Sequence, residues 1–175
     1  AVTLNVAADP VTTTRVSGVV QDTNQAPLAG ILVDVDGWQA VTDAQGRFTV
    51  ELPGTPPTNT LRIMGGLTTG SNYPSIAEKL PLVLEHDVYA GVNNEIARPI
   101  YLPVIDIASG QLVDSAHDAV VTSVNLPGAS VSFGAGALKD LSGNSFTGVM
   151  SITEVPVNLT PAALPENLHP DLVVT

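Results

Sequence analysis

The stretch from Val16 to Leu52, VSGVVQDTNQAPLAGILVDVDGWQAVTDAQGRFTVEL, decides the fold of this chain. Apolar residues alternate with polar ones in three segments, which begin at Val16, Val33 and Phe48, and a period of two is typical of half-buried β-strands. The sequences QAPLAG and TDAQG separate these segments and contain the glycine, proline and aspartate of turns. The stretch therefore predicts at least three short strands joined by turns.

The second of these strands contains acidic residues. Val33 and Val35 alternate with Asp34 and Asp36, so a strand through residue 36 would place both carboxylates on one face. Together with Asp43 they are candidate ligands for a hard cation, which takes about six to eight oxygen atoms. The ligand count falls short and the pattern lacks an EF-hand loop, so a solvated acidic face is the other interpretation. We therefore predict no metal site.

Three ordered segments carry a family resemblance. SGVVQD at residues 17–22, PLAGI at 27–31 and TDAQGRF at 42–48 resemble the carboxypeptidase regulatory-like family. Its relatives are the transthyretin-like domains and the B-type repeats of collagen-binding surface proteins. The resemblance implies a non-catalytic β-sandwich that serves as a spacer, docking or adhesion module, and it implies no functional residue.

Composition bounds the fold class. At 175 residues the chain has room for two small sandwiches, and 44% of the residues are hydrophobic. Aromatic residues make up only 4%, so the core must consist mainly of Val, Leu, Ile and Ala. The 14 prolines and 15 glycines are dispersed, which favours many turns between short strands over long helices.

Charge excludes several kinds of partner. There are 6 basic and 17 acidic residues, a net charge of −11, so binding to nucleic acid or to an anionic membrane surface is disfavoured. No run approaches the roughly 18 apolar residues of a membrane span, so we predict no membrane insertion. The absence of cysteine excludes disulfides and thiolate metal sites, and nothing in the sequence indicates a cofactor.

The first residues form a segment of their own. Residues 1–8, AVTLNVAA, alternate as an amphipathic strand, and Asp9 and Pro10 then break it, so we assign residues 1–11 to a strand or linker. This strand could close its own sheet, continue from a preceding domain or add to the sheet of a neighbouring subunit. Repeated addition between subunits would build a filament. The absence of an initiator Met suggests a processed or excised product.

The middle of the chain completes the first predicted module, which spans residues 12–105. Residues 60–64 read as a strand, 65–74 as a surface loop, and 75–84 as either a short turn of helix or an extended crossing segment. Pro99 and Pro103 restrict residues 95–105 to an edge strand or an extended connector. The polar residues 106–110 form the predicted boundary.

A second strand pattern begins at residue 111. We predict strands over 120–126, 131–133 and 146–157, and an irregular proline-rich segment after them. LPGASV, GAL and FTG resemble a sandwich module of ankyrins and netrin receptors, and similar stretches follow transthyretin-like domains in bacterial surface and teneurin-like proteins. The fold class is therefore all-β, with two consecutive sandwiches, the second at residues 111–175. DLVVT at the end begins a strand, which suggests that this module is truncated.

Candidate catalytic groups cluster in one short segment. DSAHD at residues 114–118 contains Ser115, His117 and two aspartates, but a working triad is assembled by the fold and not by adjacency in one loop. The G-x-S-x-G sequence of a nucleophile elbow is absent, so a solvated turn is the preferred interpretation. His86 lies between Glu85 and Asp87 without a second histidine nearby, which indicates a surface imidazole. We predict no catalytic residue.

Aromatic side chains give one candidate ligand site. Trp38 and Tyr73 could stack on a sugar, with the loop of residues 65–74 as the rest of the site. A single Trp beside a turn is, however, more often a side chain that plugs the core. The sequence thus predicts a non-enzymatic extracellular structural or adhesion segment of a larger cell-surface protein, with strand pairing to other proteins or identical subunits. The alternative is a carbohydrate- or protein-binding module.

Overall fold

The computed structural model describes residues 13–55, 58–67, 72–139, 142–156 and 159. These residues form twelve strands, one short α-helix and two 3-10 turns, at Gly65–Leu67 and Ile107–Ser109, so the all-β prediction is confirmed. The first eight strands are β1 Thr14–Asp22, β2 Leu32–Val35, β3 Trp38–Val41, β4 Arg47–Leu52, β5 Thr60–Met64, β6 Ser75–Lys79, β7 Asn93–Glu95 and β8 Ile100–Leu102. The last four are β9 Gln111–Asp114, β10 Ala119–Thr122, β11 Ser130–Phe133 and β12 Thr147–Met150. The helix α1 spans Leu80–Leu84.

The predicted first strand is the centre of one sheet. β1 pairs with β4 in antiparallel register, with Val16 opposite Val50, and with β7 and β8 in parallel register along its other side. Burial alternates along β1, and Val16 and Val20 lie in the interior. Residues 96–99, which include Pro99, separate β7 from β8, and Pro103 follows β8. Both strands lie at the edge of the sheet, which fits the predicted edge position.

The second sheet lies opposite the first. Its four antiparallel strands follow the order β3, β2, β5 and β6, with Val33 opposite both Ala40 and Ile63. One continuous apolar cluster fills the space between the two sheets, which makes residues 14–102 a β-sandwich. Its members are Val16, Val20, Leu28, Ile31, Val33, Val35, Phe48, Val50, Leu52, Leu61, Ile63, Leu80, Leu84, Val88, Ile96, Ile100 and Leu102.

One prediction within the opening stretch was wrong. The second strand ends at Val35, and Asp36 and Gly37 form a two-residue turn with φ of 50° and 94° into β3. Positive φ at both positions is the geometry of a type I′ hairpin, which Asp-Gly between strands strongly favours. Asp36 therefore lies in a turn and does not share a strand face with Asp34.

At the predicted turn TDAQG, the backbone of Gly46 lies close to the backbone of Val20 in β1. Val20 N donates to Gly46 O at 2.8 Å, and Gly46 N donates to Asp43 O at 2.9 Å. Gly46 has a φ of +73°, and a Cβ built there would lie 2.3 Å from Val20 O. Only glycine fits both the dihedral angle and the contact.

Residues 75–84 combine the two alternatives that the sequence left open. β6 is extended to Lys79 and α1 follows at once, with Pro81 in its first turn. Proline is tolerated there because the first amide groups of a helix have no intrahelical acceptor. Leu80 and Leu84 of this helix face the core.

The segment after residue 105 forms two small sheets, β9 with β12 and β10 with β11. The predicted strands were too long here: β10 ends at Thr122 and β12 at Met150, and residues 151–156 are irregular. Among the described residues of this second region, only Val113, Val121 and Leu159 are buried apolar residues. The predictions for residues 1–11 and for 171–175 lie outside the described residues. The module boundary at residues 106–110 stays a prediction.

Candidate functional site

The three aspartates that the sequence indicated as candidate metal ligands accept hydrogen bonds from N–H groups of the protein. Asp34 is 4% exposed in the middle of β2, although it lies on the outer face of its sheet. Its carboxylate accepts hydrogen bonds from Gly37 N at 3.2 Å and Gln39 Nε2 at 3.2 Å, and it pairs with Arg62 at 3.3 Å. The expected solvated acidic face is therefore wrong for Asp34, because the neighbouring side chains cover it.

Asp36 ties the hairpin turn to the segment before β5. It accepts hydrogen bonds from Thr58 N at 3.0 Å, Asn59 N at 2.9 Å and Thr60 N at 3.2 Å, and from the Thr58 hydroxyl. Partial burial alone would raise the pKa of Asp36, but the Thr58 side chain and these three amides outweigh it and lower the pKa. The carboxylate thus fixes a loop.

Asp43 accepts hydrogen bonds from Gln45 N at 2.9 Å and Arg47 N at 2.8 Å within its own turn. The structure does not bring the three aspartates together as one ligand set, since each serves a different turn or strand. Within the described ranges there is no cluster of three His, Cys, Asp or Glu side chains that could hold a metal ion.

The DSAHD segment is a turn between β9 and β10. Asp114 contacts His117 Nδ1 at 3.4 Å and accepts from Ala116 N at 3.0 Å, and Asp118 accepts from Ala135 N at 2.8 Å. Ser115 is 2% exposed, and its hydroxyl has no hydrogen-bond partner in the described part of the chain. The serine and the histidine are therefore not linked as nucleophile and base.

Asp114 itself shows the effect of this turn. The Ala116 amide lowers the pKa of its carboxyl, and this outweighs the opposite effect of desolvation; the His117 side chain lowers it further. The carboxylate is thus stabilised as an anion by the turn that it closes.

The sequence indicated a surface imidazole at His86, and the structure shows this ring half-buried. Its Nδ1 lies 2.7 Å from Asp87 O, and it stacks on Tyr89 with ring centroids 4.9 Å apart. The loop that carries both rings is fixed by Asn94, which is 2% exposed and accepts from Tyr89 N while donating to Arg15 O. His169 lies outside the described residues.

The two aromatic residues of the predicted ligand site lie at different corners of the second sheet. Trp38 begins β3 beside the hairpin turn and is 49% exposed. Tyr73 precedes β6 at the other end of the sheet, half-buried against the core, where burial and the charge of Asp22 raise its pKa. Three strand spacings separate the two positions, about 14 Å across the sheet alone. They cannot form one stacking platform.

A groove of about 300 Å³ lies over β5 and β6, with Arg62, Met64 and Ala77 among its lining residues. The groove is open and almost entirely apolar. Ser75 and Ala77 are small, and the Arg62 guanidinium extends towards Asp34 on the neighbouring strand β2. No local pattern indicates this groove, since its residues come from two strands joined by a loop.

Polar contacts concentrate at Asp106, a residue that sequence reasoning placed only in a linker. Its carboxylate accepts from Ser109 N at 3.2 Å and Asn125 Nδ2 at 2.9 Å, and its amide donates to Thr153 Oγ1 at 2.9 Å. The side chains of Ser109 and Asn125 lower its pKa. Asp106 thus connects three parts of the second region, around Ser109, Asn125 and Thr153. Its contacts span 47 residues of sequence, which no local pattern could show.

No family model matches the chain, and neither does any curated protein. A solved structure with partial similarity is a chain of a type II Cohesin-X-Dockerin complex from Acetivibrio cellulolyticus, a C-terminal interface mutant. The TM-score is 0.34 at 26% identity, and the match covers 51% of this chain and 56% of that chain. None of the helices among the described residues could span a membrane.

Proposed function

We propose that the chain is a non-enzymatic, extracellular structural and adhesion segment of a larger cell-surface protein, which contacts other proteins by strand pairing. The observation that carries this proposal is that the carboxylates hold the fold together through hydrogen bonds. The carboxylates of Asp34, Asp36 and Asp106 each accept hydrogen bonds that hold turns and strands in place. Carboxylates held in this way favour a role in supporting the scaffold over a role as reacting groups.

The first region fits a transthyretin-like sandwich of the carboxypeptidase regulatory-like family, and this assignment belongs to the proposal. In its support, the three segments of the resemblance occupy connected positions in the fold: β1, the bend that precedes β2, and the turn into β4. The low content of basic residues favours protein partners over nucleic acid.

The experiment is an in-frame deletion of residues 13–156 from the gene in cells of the source organism. We expect a tag inserted in the segment to be accessible to antibody on intact cells, and the deletion to reduce cell adhesion or the reach of the surface protein. A tag that is accessible only after lysis would contradict the proposal, as would unchanged adhesion and unchanged reach in the deletion strain.

Carbohydrate binding is the second candidate, favoured by the 49% exposure of Trp38. Because Tyr73 lies at another corner, such a site would rely on one aromatic ring and would be weak. Reproducible glycan binding that Trp38→Ala abolishes and Tyr73→Ala leaves unchanged would favour this candidate over the structural one.

A further inference from the structure

The edges of the sandwich differ in how they are protected against pairing. Edge strands expose unpaired backbone donors and acceptors, and proteins block them with charged side chains and prolines. β4 carries Arg47 and Glu51, and β7 carries Glu95. β8 lies between two prolines, at residues 99 and 103.

β6, at one edge of the second sheet, is protected in several ways. Pro74 precedes it, Pro81 follows it closely, and Lys79 ends it. Glu78 stands opposite the buried Leu61 and so points towards the core side, where burial raises its pKa. An inward-pointing acidic group of this kind opposes the addition of another strand.

β3, at the other edge of the same sheet, has no such protection. From Gly37 to Thr42 the sequence GWQAVT contains neither a charge nor a proline. Within the described residues β3 is hydrogen-bonded to β2 alone, and Trp38 and Val41 are 49% and 60% exposed. These two residues have opposite parity, so apolar surface is exposed on both faces of the edge.

We propose that β3 is an acceptor edge for strand addition, and that its partner is the segment Ala1–Ala8 of a second copy of this chain. The inference rests on the proposed function, which includes pairing with identical subunits. Charge supports this occupant: in a chain of net charge −11, AVTLNVAA is uncharged, and it meets an edge that is also uncharged. Two acidic copies can approach at this contact with the least repulsion.

The side-chain pattern of the donor matches the inner face of the acceptor, whereas on the outer face Thr3 and Asn5 would lie beside Val41. An added strand places alternate residues on each face of the sheet. Val2, Leu4 and Val6 can therefore extend the inner face beside Trp38, while Thr3 and Asn5 continue the outer face. Eight extended residues span about 27 Å, more than enough to cover the four residues of β3.

The test uses the full chain and its single tryptophan, Trp38, which lies in the proposed edge. Sedimentation velocity and Trp38 emission are recorded over a concentration series. We expect association with rising concentration and, over the same range, a shift of the emission to shorter wavelength as the indole is covered. Val41→Lys places a charge on the acceptor edge and should weaken association roughly tenfold or more, with loss of the shift.

Two further variants assign the partners. Ala77→Lys places the same charge on β6 and should behave as the unmodified chain, whereas Leu4→Pro should weaken association as Val41→Lys does. The proposal fails if the chain stays monomeric with an unchanged emission, or if Ala77→Lys rather than Val41→Lys prevents association. Failure here with adhesion still lost in the deletion strain would overturn the acceptor edge alone and leave the proposed function standing.

Discussion

The two regions of this molecule are built from similar strands but are stabilised differently. Residues 14–102 enclose one continuous apolar cluster between two four-stranded sheets. In the described part of the second region, Val113, Val121 and Leu159 share the interior with buried serines at 109, 115 and 123. Leu112 and Val149 lie opposite each other on the outside, 77% and 66% exposed. Strand pairing alone therefore does not make a sandwich; the amount of buried apolar surface distinguishes the two regions.

The largest expected effect comes from one substitution placed in both regions. Leu61 is 1% exposed, and Leu61→Ala should lower the free energy of unfolding of the first region by about 2–5 kcal/mol, because it leaves a cavity in the core. Leu112→Ala is the matched control and should change the stability by less than about 0.5 kcal/mol. Trp38 fluorescence in urea measures the first, and amide hydrogen exchange of β9 and β12 measures the second.

A large loss of protection in Leu112→Ala would contradict the comparison. It would mean that the exposed pair of Leu112 and Val149 is covered in solution, since an uncovered side chain contributes little to stability. The two regions would then differ in which part of the chain covers them and not in how much apolar surface they bury.

Two glycines of similar backbone conformation sharpen the comparison further. Gly46 in the first region has a φ of +73° and Gly136 in the second a φ of +77°. A Cβ at Gly46 would meet Val20 O at 2.3 Å, whereas at Gly136 nothing lies within 4 Å. Gly136→Ala should therefore cost about 1–2 kcal/mol, for the dihedral angle alone. Gly46→Ala should cost about 1–3 kcal/mol more, because the backbone must also shift.

The measurement is the urea midpoint of each variant, with Trp38 as the probe for Gly46→Ala and hydrogen exchange of β10 and β11 as the probe for Gly136→Ala. Equal losses in the two variants would show that the packing around Gly46 can relax at no cost. The tight turn would then contribute less to the first region than its geometry indicates.

Features that depend on interactions between residues close in sequence were predicted better than those that depend on distant residues. The alternation in β1 and β4 and the turn at Asp43 are local patterns, and each was placed correctly. The hairpin at Asp36 was missed although Asp-Gly between strands is a local signal. The predicted strand was extended from Val35 into the first residue of the turn, because the alternation of apolar and acidic residues continues there. The strands of the second region were overextended because alternation continues in the sequence where no partner strand pairs.

The candidate site could be predicted only in part, because its contacts are long-range. Trp38 was noted as a candidate ligand residue, but its interpretation as a core plug was wrong, because it is 49% exposed. Its separation from Tyr73 depends on the strand order β3, β2, β5 and β6, which sequence spacing does not give. The burial of Asp34 depends on Arg62, a residue from a neighbouring strand. The uncharged edge at β3 was readable in the sequence, but it becomes meaningful only once the strand order shows which strands are edges.

The smallest expected effect has the opposite sign and concerns the interior of the second region. The hydroxyl of Ser115 is buried without a partner among the described residues, and a buried polar group that makes no hydrogen bond costs about 1–3 kcal/mol. Ser115→Ala removes the oxygen and keeps nearly the same shape, so we expect the second region to gain up to about 1 kcal/mol, read as slower hydrogen exchange in β9 and β10. Val113→Ala is the control at the adjacent interior position, and it should instead destabilise the same strands, because it removes apolar atoms from a small core.

The Ser115→Ala variant also tests the assignment of DSAHD as a non-catalytic turn. A serine nucleophile would be expected to sit within hydrogen-bond reach of a base, so a hydrolase activity that Ser115→Ala abolishes would contradict this assignment. Slower exchange in Ser115→Ala would support a buried hydroxyl without a partner, whereas a loss of stability would show that the hydroxyl has a partner in solution and that the interior of the second region is better satisfied than the comparison with the first region implies.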